Sequence, residues 1–442
     1  MPRIDRRDFL TTSAAGVVGA GLALRPRPAA ARVPGANERV RMGVIGTGRQ
    51  GLSVMQAHMA LDDVEIAAIC DVYGTNLSKA AAAAPQAAQH KDFRRILDDP
   101  EIDAVIIATP DHWHALQTVM ACQAGKDVYV EKPTSVAIAE GRKMVEAARK
   151  YNRIVQVGLQ QRSAAHFQKA VEIVKGGTLG KISMVRCWNA GNGAPEGIGN
   201  PPDGDPPADL DWDLWLGPAP KVPFNPNRFG VHPRAWSHFR YFWDYAGGMM
   251  TDWGVHLIDI VQWAMAVEAP AKVSAVGGKF AVQDNRETPE TILATYQYPG
   301  FVMVYENRSA NGRQINGHGY GIEFHGTDGT LFVDRSGLEI VPEQRRIGQD
   351  QFENRTEPFA MQSTKDDPTH ARNFVDCVKS RQAPICDVEI GHRSSSTAIL
   401  GNLAYRSGAS LTWDKASEDI EDNDEAADLL EKKYRKPWSL KV

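Results

Sequence analysis

Three groups of residues carry types and spacings suited to chemistry on a nucleotide and a hydroxyl. The first is Gly46-Thr47-Gly48-Arg49-Gln50-Gly51, set between an apolar run and a helical pattern. Glycines there permit a tight turn and close backbone approach to a pyrophosphate. The helix start at Arg49 and Gln50 offers unpaired N–H groups and a positive dipole end. Asp71 ends the next apolar run, 20 residues after Gly51. An acid in that place accepts hydrogen bonds from the adenine-ribose hydroxyls. Its carboxylate repels a 2′-phosphate and so favours NAD, while Lys79 and Asn76 nearby leave NADP open. The competing reading is a glycine turn that holds no ligand.

The second group is Glu131-Lys132-Pro133, directly after the apolar run Asp127–Val130. In doubly wound sheets ligands sit beyond the carboxyl ends of the strands, which puts Lys132 at the cofactor edge with Glu131 to orient it. Otherwise Lys132 is a surface lysine in a turn. The third group follows Gly247-Gly248: Asp252 and His256 are spaced i, i+4, on one face of a helix over 250–265. A carboxylate beside an imidazole raises its basicity and fixes its orientation, as a general base requires. Asp259, i+3 from His256, suits the same part. Taken alone, an N-cap aspartate and a packed core histidine explain the pair better.

These groups need a scaffold, and the chain supplies one. From Val40 to Gly158 short apolar runs alternate with helical patterns, which predicts parallel strands with right-handed crossovers: a Rossmann domain over 38–158. A Gly- and Pro-rich loop over 191–207 and an aromatic-rich region follow. Runs between Val273 and Ile340 predict a largely antiparallel sheet within a second α/β domain over 159–415. Residues 416–442 read as a charged C-terminal tail, with 417–433 a surface helix or loose segment. Trp236, Trp243 and Trp253 have faces that suit a sugar ring, Trp236 being the best placed, although such residues are more often core. His112 and His114, i, i+2 in Asp111-His112-Trp113-His114, do not share a helical face, so no metal site is expected. His232, His238 and His318 stand in loop-rich sequence and are not placed by spacing.

Composition narrows the class. The 442 residues are 43% hydrophobic and 24% charged, with net charge −4. That balance provides a core and excludes whole-chain disorder, and no basic excess points to nucleic acid. The five cysteines form no CxxC pair. Cys377 and Cys386 either pair or remain buried thiols. Residues 1–31 read as a twin-arginine export signal: Arg6-Arg7-Asp8-Phe9-Leu10, a weakly apolar run from Ala14 to Leu24, then Ala29-Ala30-Ala31. The run of 11 residues is short for a membrane anchor. No later run suits a membrane span, so the mature chain is expected in the periplasm or otherwise exported.

Taken together, the motifs resemble the Gfo/Idh/MocA family of nicotinamide-dependent sugar and inositol oxidoreductases. The resemblance rests on Gly46–Gly51, Asp71, Ala108-Thr109-Pro110 with His114, Glu131-Lys132-Pro133, and Gly247-Gly248 followed by Asp252 and His256. It implies a Rossmann domain followed by an α/β domain whose large sheet mediates homo-oligomerisation. It gives Lys132, Asp252 and His256 catalytic roles: His256 takes the hydroxyl proton, Lys132 polarises the reacting oxygen, and Asp252 orients His256 or binds a sugar hydroxyl. Thr109, Pro110, His114 and Glu131 join the cofactor set, and Arg162 in Gln160-Gln161-Arg162 faces the substrate unless it forms an interdomain salt bridge. NAD, or NADP, is the implied cofactor and a small carbohydrate the implied partner. Export by the twin-arginine machinery would carry the cofactor out with the folded chain and require its recycling there. A redox-neutral NAD-dependent glycosidase and a non-catalytic carbohydrate-binding protein are the alternatives.

Overall fold

The computed structural model describes residues 38–232, 235–364 and 369–442. The expected export signal lies outside the described residues, and so do the side chains of His232 and Trp236. In the first domain strands and helices alternate: β1 (Val40–Ile45), α1 (Arg49–Met59), β2 (Val64–Cys70), α2 (Gly74–Ala83), β3 (Ala88–His90), α3 (Arg94–Leu97), β4 (Ala104–Ile107), α4 (Asp111–Gln123), β5 (Asp127–Val130), α5 (Ile138–Lys150) and β6 (Val155–Val157). The strands are parallel in the order β3-β2-β1-β4-β5-β6. Every residue of β4 and β5 is buried. Helices cover both faces, so these strands read as continuous apolar runs. β3 escapes the sequence pattern because three residues, Ala88-Gln89-His90, none of them buried, show no period. The strand order reverses between β1 and β4, which opens a crevice above their carboxyl ends.

The second domain begins with α6 (Ala165–Lys175) and β7 (Ile182–Ala190). An insertion then carries only short elements: α7 (Trp212–Leu216), α8 (Pro226–Phe229) and the two-residue strands β8 (Val231–His232) and β9 (Ala235–Trp236). It packs around its own aromatic cluster, Trp215, Phe224, Phe229, Phe242 and Tyr245. Next come α9 (Val255–Met265), β10 (Lys272–Gly278), β11 (Thr291–Tyr298), β12 (Phe301–Arg308), β13 (Tyr320–Gly326), β14 (Gly329–Asp334) and β15 (Gly337–Pro342). The hairpin β16 (Gln344–Gly348) and β17 (Gln351–Asn354) projects before β18 (Phe359–Gln362). The chain ends with α10 (Thr369–Ser380), α11 (Val388–Ser407), β19 (Leu411–Asp414), β20 (Asp419–Ile420) and α12 (Asp424–Ala427). Ten strands form one sheet in the order β18-β15-β14-β13-β7-β12-β11-β10-β19-β20. Only β12 with β7 is parallel. In β11 alternate residues Ile292, Ala294, Tyr296 and Tyr298 are buried, the period of a half-covered strand.

Two expected boundaries are corrected. α10 falls in the second domain by sequence, yet Phe374, Val375 and Val378 complete the core of the first. The tail over 416–442 is not loose. Leu430 is buried, and Trp438 stacks on Phe93 and meets the edge of Trp113. Lys432 donates to the carbonyls of Trp243 and Asp244, and Arg435 to those of Gly217 and Asp213, so the tail pins the insertion to the first domain. All five cysteines are buried and free, so Cys377 and Cys386 do not pair.

Candidate active site

Gly46 leaves β1 at φ +85, in the left-handed region where glycine carries no steric cost. A Cβ at Gly46 would lie 2.8 Å from the Ala108 carbonyl, and one at Gly51 would lie 1.9 Å from Gly46 O. The chain is therefore packed to a glycine's width at both positions. Gly48 faces open space apart from Asn76 Nδ2 at 3.6 Å. It precedes α1, whose first turn holds no acid and no side-chain cap. That leaves N–H groups and the positive helix end for an anion, and a pyrophosphate fits the cradle. Asp71 stands at the end of β2. Its carboxylate accepts from Thr47 N (2.8 Å), Thr47 Oγ1 (3.2 Å), Tyr73 N (2.9 Å) and Asn76 Nδ2 (3.4 Å). Burial pushes its pKa up, and these four donors act against the shift.

A cavity of about 690 Å³ runs from this cradle to the ends of β4 and β5. Gly46, Gly48, Arg49, Gln50, Asp71, Thr109, Pro110, His114, Glu131 and Lys132 all border it. Glu131 accepts from Gln50 Nε2 and Gln160 Nε2, each at 3.0 Å. The His114 ring lies between Pro133 O (2.7 Å) and Thr109 O (2.8 Å), which ties the Glu131-Lys132-Pro133 turn to the end of β4. The insertion closes the cavity from above with Trp215, Phe229, Ser237, Phe239 and Arg240.

At the reactive end the Lys132 ammonium lies 2.6 Å from Asp252 Oδ1. Arg240 Nε approaches the same oxygen at 2.8 Å. The two cations hold the Asp252 carboxyl well below the usual carboxylate range, against the opposing effect of burial. Asp252 therefore pairs with cations rather than fixing the His256 ring, a correction to the expected dyad. His256 is buried, and its Nδ1 has no protein partner. Burial first, then Lys132, Arg335 and Arg240, drive its pKa well below the ordinary value, so the ring is neutral. The expected single helix over 250–265 also differs: Met250–Gly254 is a π-helical turn leading into α9. Such turns recur at functional sites, and this one carries Asp252.

Several candidates move. Arg162 is buried and forms a bidentate ion pair with Asp259 at 2.8–3.0 Å, with its guanidinium 4.9 Å above Trp263. The pair lies within the second domain and Arg162 does not border the cavity; Asp259 is thereby unavailable to His256. His112 lies 3.1 Å from Trp215 O, and Trp113 Nε1 donates to the same carbonyl. Trp243 lies under Arg406 and Trp253 sits tilted against Tyr320; like Asp252 and His256, neither borders the cavity. His318 pairs with Asp334. Among the described residues no group of three His, Cys, Asp or Glu could hold a metal ion. Arg240 and Asp111 were not singled out by sequence: Arg240 sits in a 3-10 turn between aromatic residues, with no spacing to a partner that would mark it.

Residues 40–159 match the oxidoreductase family described by its NAD-binding Rossmann fold, and residues 197–440 match the C-terminal alpha/beta domain of the same family. The myo-inositol 2-dehydrogenase of Thermotoga maritima is 31% identical over 33% of this chain and 44% of its own length. A glycosyl hydrolase family 109 protein of Solibacter usitatus is 34% identical over 34% of this chain and 37% of its own. Each of these two relatives is thus matched over less than half its length. The fold is shared with the WlbA dehydrogenase of Bordetella pertussis, solved with NADH and UDP-GlcNAcA. That match has TM-score 0.62 and 20% identity, and covers 85% of this chain and 99% of that one. With both domains matched, the chain belongs to the Gfo/Idh/MocA oxidoreductase family, with an NAD-binding Rossmann domain followed by the family's α/β domain.

Proposed function

We propose that the protein moves a hydride between a hydroxyl-bearing carbon of a sugar, glycoside or polyol and a tightly held NAD or NADP. The observation that carries this reading is the Lys132–Asp252 ion pair at the end of the glycine-cradled cavity. The nicotinamide, when bound, supplies the hydride-accepting carbon. Lys132 donates a hydrogen bond to the reacting oxygen and stabilises negative charge developing there. Asp252 holds the ammonium in place. His256 receives the hydroxyl proton, a role supported by its Nδ1, which has no protein partner. The test adds aldoses, glycosides and inositol to the NAD+-loaded protein and follows nicotinamide absorbance. Reduction by at least one of them is expected, and none by any would sink the reading.

A second reading, redox-neutral glycoside cleavage, is favoured by the similarity to the Solibacter usitatus protein. It expects release of the aglycone with no net change in nicotinamide absorbance. We also infer export before action, supported by Arg6-Arg7 and the apolar run to Leu24. Homo-oligomerisation is supported by the outer face of the large sheet. Val276 lies opposite Leu293, and Val302 opposite Met184, and all four are exposed.

A further inference from the structure

We propose that Asp111 is the counter-charge of the oxidised nicotinamide ring, so that the cavity favours NAD+ over NADH and links that preference to one proton. The inference rests on the nicotinamide-binding reading of the cavity and on no particular substrate. Asp71 and β2 mark the adenosine side of the switch point, so the nicotinamide half belongs over the ends of β4 and β5. Asp111 opens α4 at the end of β4 and borders the cavity there. It is 2% exposed, and its Oδ2 has no hydrogen-bond partner in the protein. A buried, unpartnered carboxylate oxygen carries a desolvation cost that a ligand of opposite charge relieves.

Counting charge gives the same answer. Asp252 is shared between Lys132 and Arg240, so that trio carries one net positive charge. Glu131, held by the neutral amides of Gln50 and Gln160, offsets that charge. Of the groups on α4 itself, His112 faces Trp215 O and His114 sits between two carbonyls. The Asp111 carboxylate, acted on by Arg240, Lys132 and Asp252, then gives the reactive end one net negative charge. A cationic nicotinamide matches that negative charge; neutral dihydronicotinamide does not. Burial, opposed by Arg240 and Lys132, pushes Asp111 up to about 6. The carboxyl therefore changes charge in an accessible range.

The test uses the full chain stripped of cofactor and titrated calorimetrically with NAD+ and with NADH between pH 5 and pH 8. In the wild type, Kd(NAD+)/Kd(NADH) is expected to rise about tenfold as pH falls through 6, because NAD+ prefers the ionised carboxyl. NAD+ binding near pH 6 is expected to release part of a proton, read from buffers of different ionisation enthalpy. In Asp111→Asn the ratio stays at its low-pH value at every pH, and no proton is released. The amide removes an ionisation that burial disfavours, and unchanged circular dichroism with retained NADH binding verifies the fold. If the variant fails to fold, the wild-type series alone decides. A ratio flat in pH overturns the proposal, as does an Asp111→Asn variant that repeats the wild-type dependence. Failure of both nucleotides to bind refutes the nicotinamide site and the proposal with it. A flat ratio with both bound refutes the role of Asp111 alone. Hydride transfer from sugars does not enter either readout.

Discussion

Lys132 and Asp252 lie 120 residues apart in the chain and 2.6 Å apart in the fold. Removing the ammonium in Lys132→Met is expected to lower kcat by about 100-fold or more while NADH affinity changes little. Steady-state rates beside a fluorescence titration check both halves. Arg162→Met is expected to behave differently: it leaves Asp259 buried without its cation and costs about 3–5 kcal/mol of stability. The double variant Arg162→Met with Asp259→Leu is expected to recover much of that loss in urea denaturation. A rise in KM with stability intact would instead restore Arg162 to the substrate site. The glycine fingerprint, Asp71, Lys132 and Asp252 were legible because each has a fixed place relative to a strand end or a helix turn. Arg240 and Asp111 were not. Their partners come from distant elements, so no local spacing marks them.

At the level of elements, the first domain was readable because strands covered on both faces must be apolar throughout. The antiparallel sheet was readable from its runs of strand-forming residues with polar connections, while the burial of the β11 tyrosines came only with the structure. The π-helical turn at Met250–Gly254 left no trace, since widening one turn keeps Asp252 and His256 on the same side. The tail was misread because charge dominates its composition. Lys432 and Arg435 nevertheless bind backbone carbonyls of the insertion, and Trp438 seats the strap against Trp113. Trp438→Ala is expected to cost about 1–3 kcal/mol. It should also speed proteolysis within residues 191–249, seen by limited digestion and mass spectrometry. Unchanged cleavage there would mean that the strap does not hold the insertion.

For the whole molecule, buried neutral histidines set the acid limit. Burial pushes His58 down to about 4 and His112 to about 3, and takes His256 well below its ordinary value. The folded state therefore binds fewer protons than the unfolded chain, whose histidines titrate near 6.5. Stability is full above that value and falls as pH drops toward the folded-state pKa values. At pH 5 His58 and His112 each cost about 2 kcal/mol. The urea midpoint is expected to drop between pH 7 and pH 5, and His58→Gln should flatten part of that drop. A midpoint constant over this range would mean that these rings are not buried as described.

Hydride movement between a carbohydrate carbon and the bound nucleotide is the step on which the proposed activity depends. The most direct measurement incubates the NAD+-loaded protein with a panel of perdeuterated aldoses, glycosides and inositol, then weighs the nucleotide by mass spectrometry. One deuterium in the nucleotide of the wild type, and none in Lys132→Met with nucleotide still bound, is the predicted result. Nucleotide that stays bound and unlabelled across the panel would contradict it.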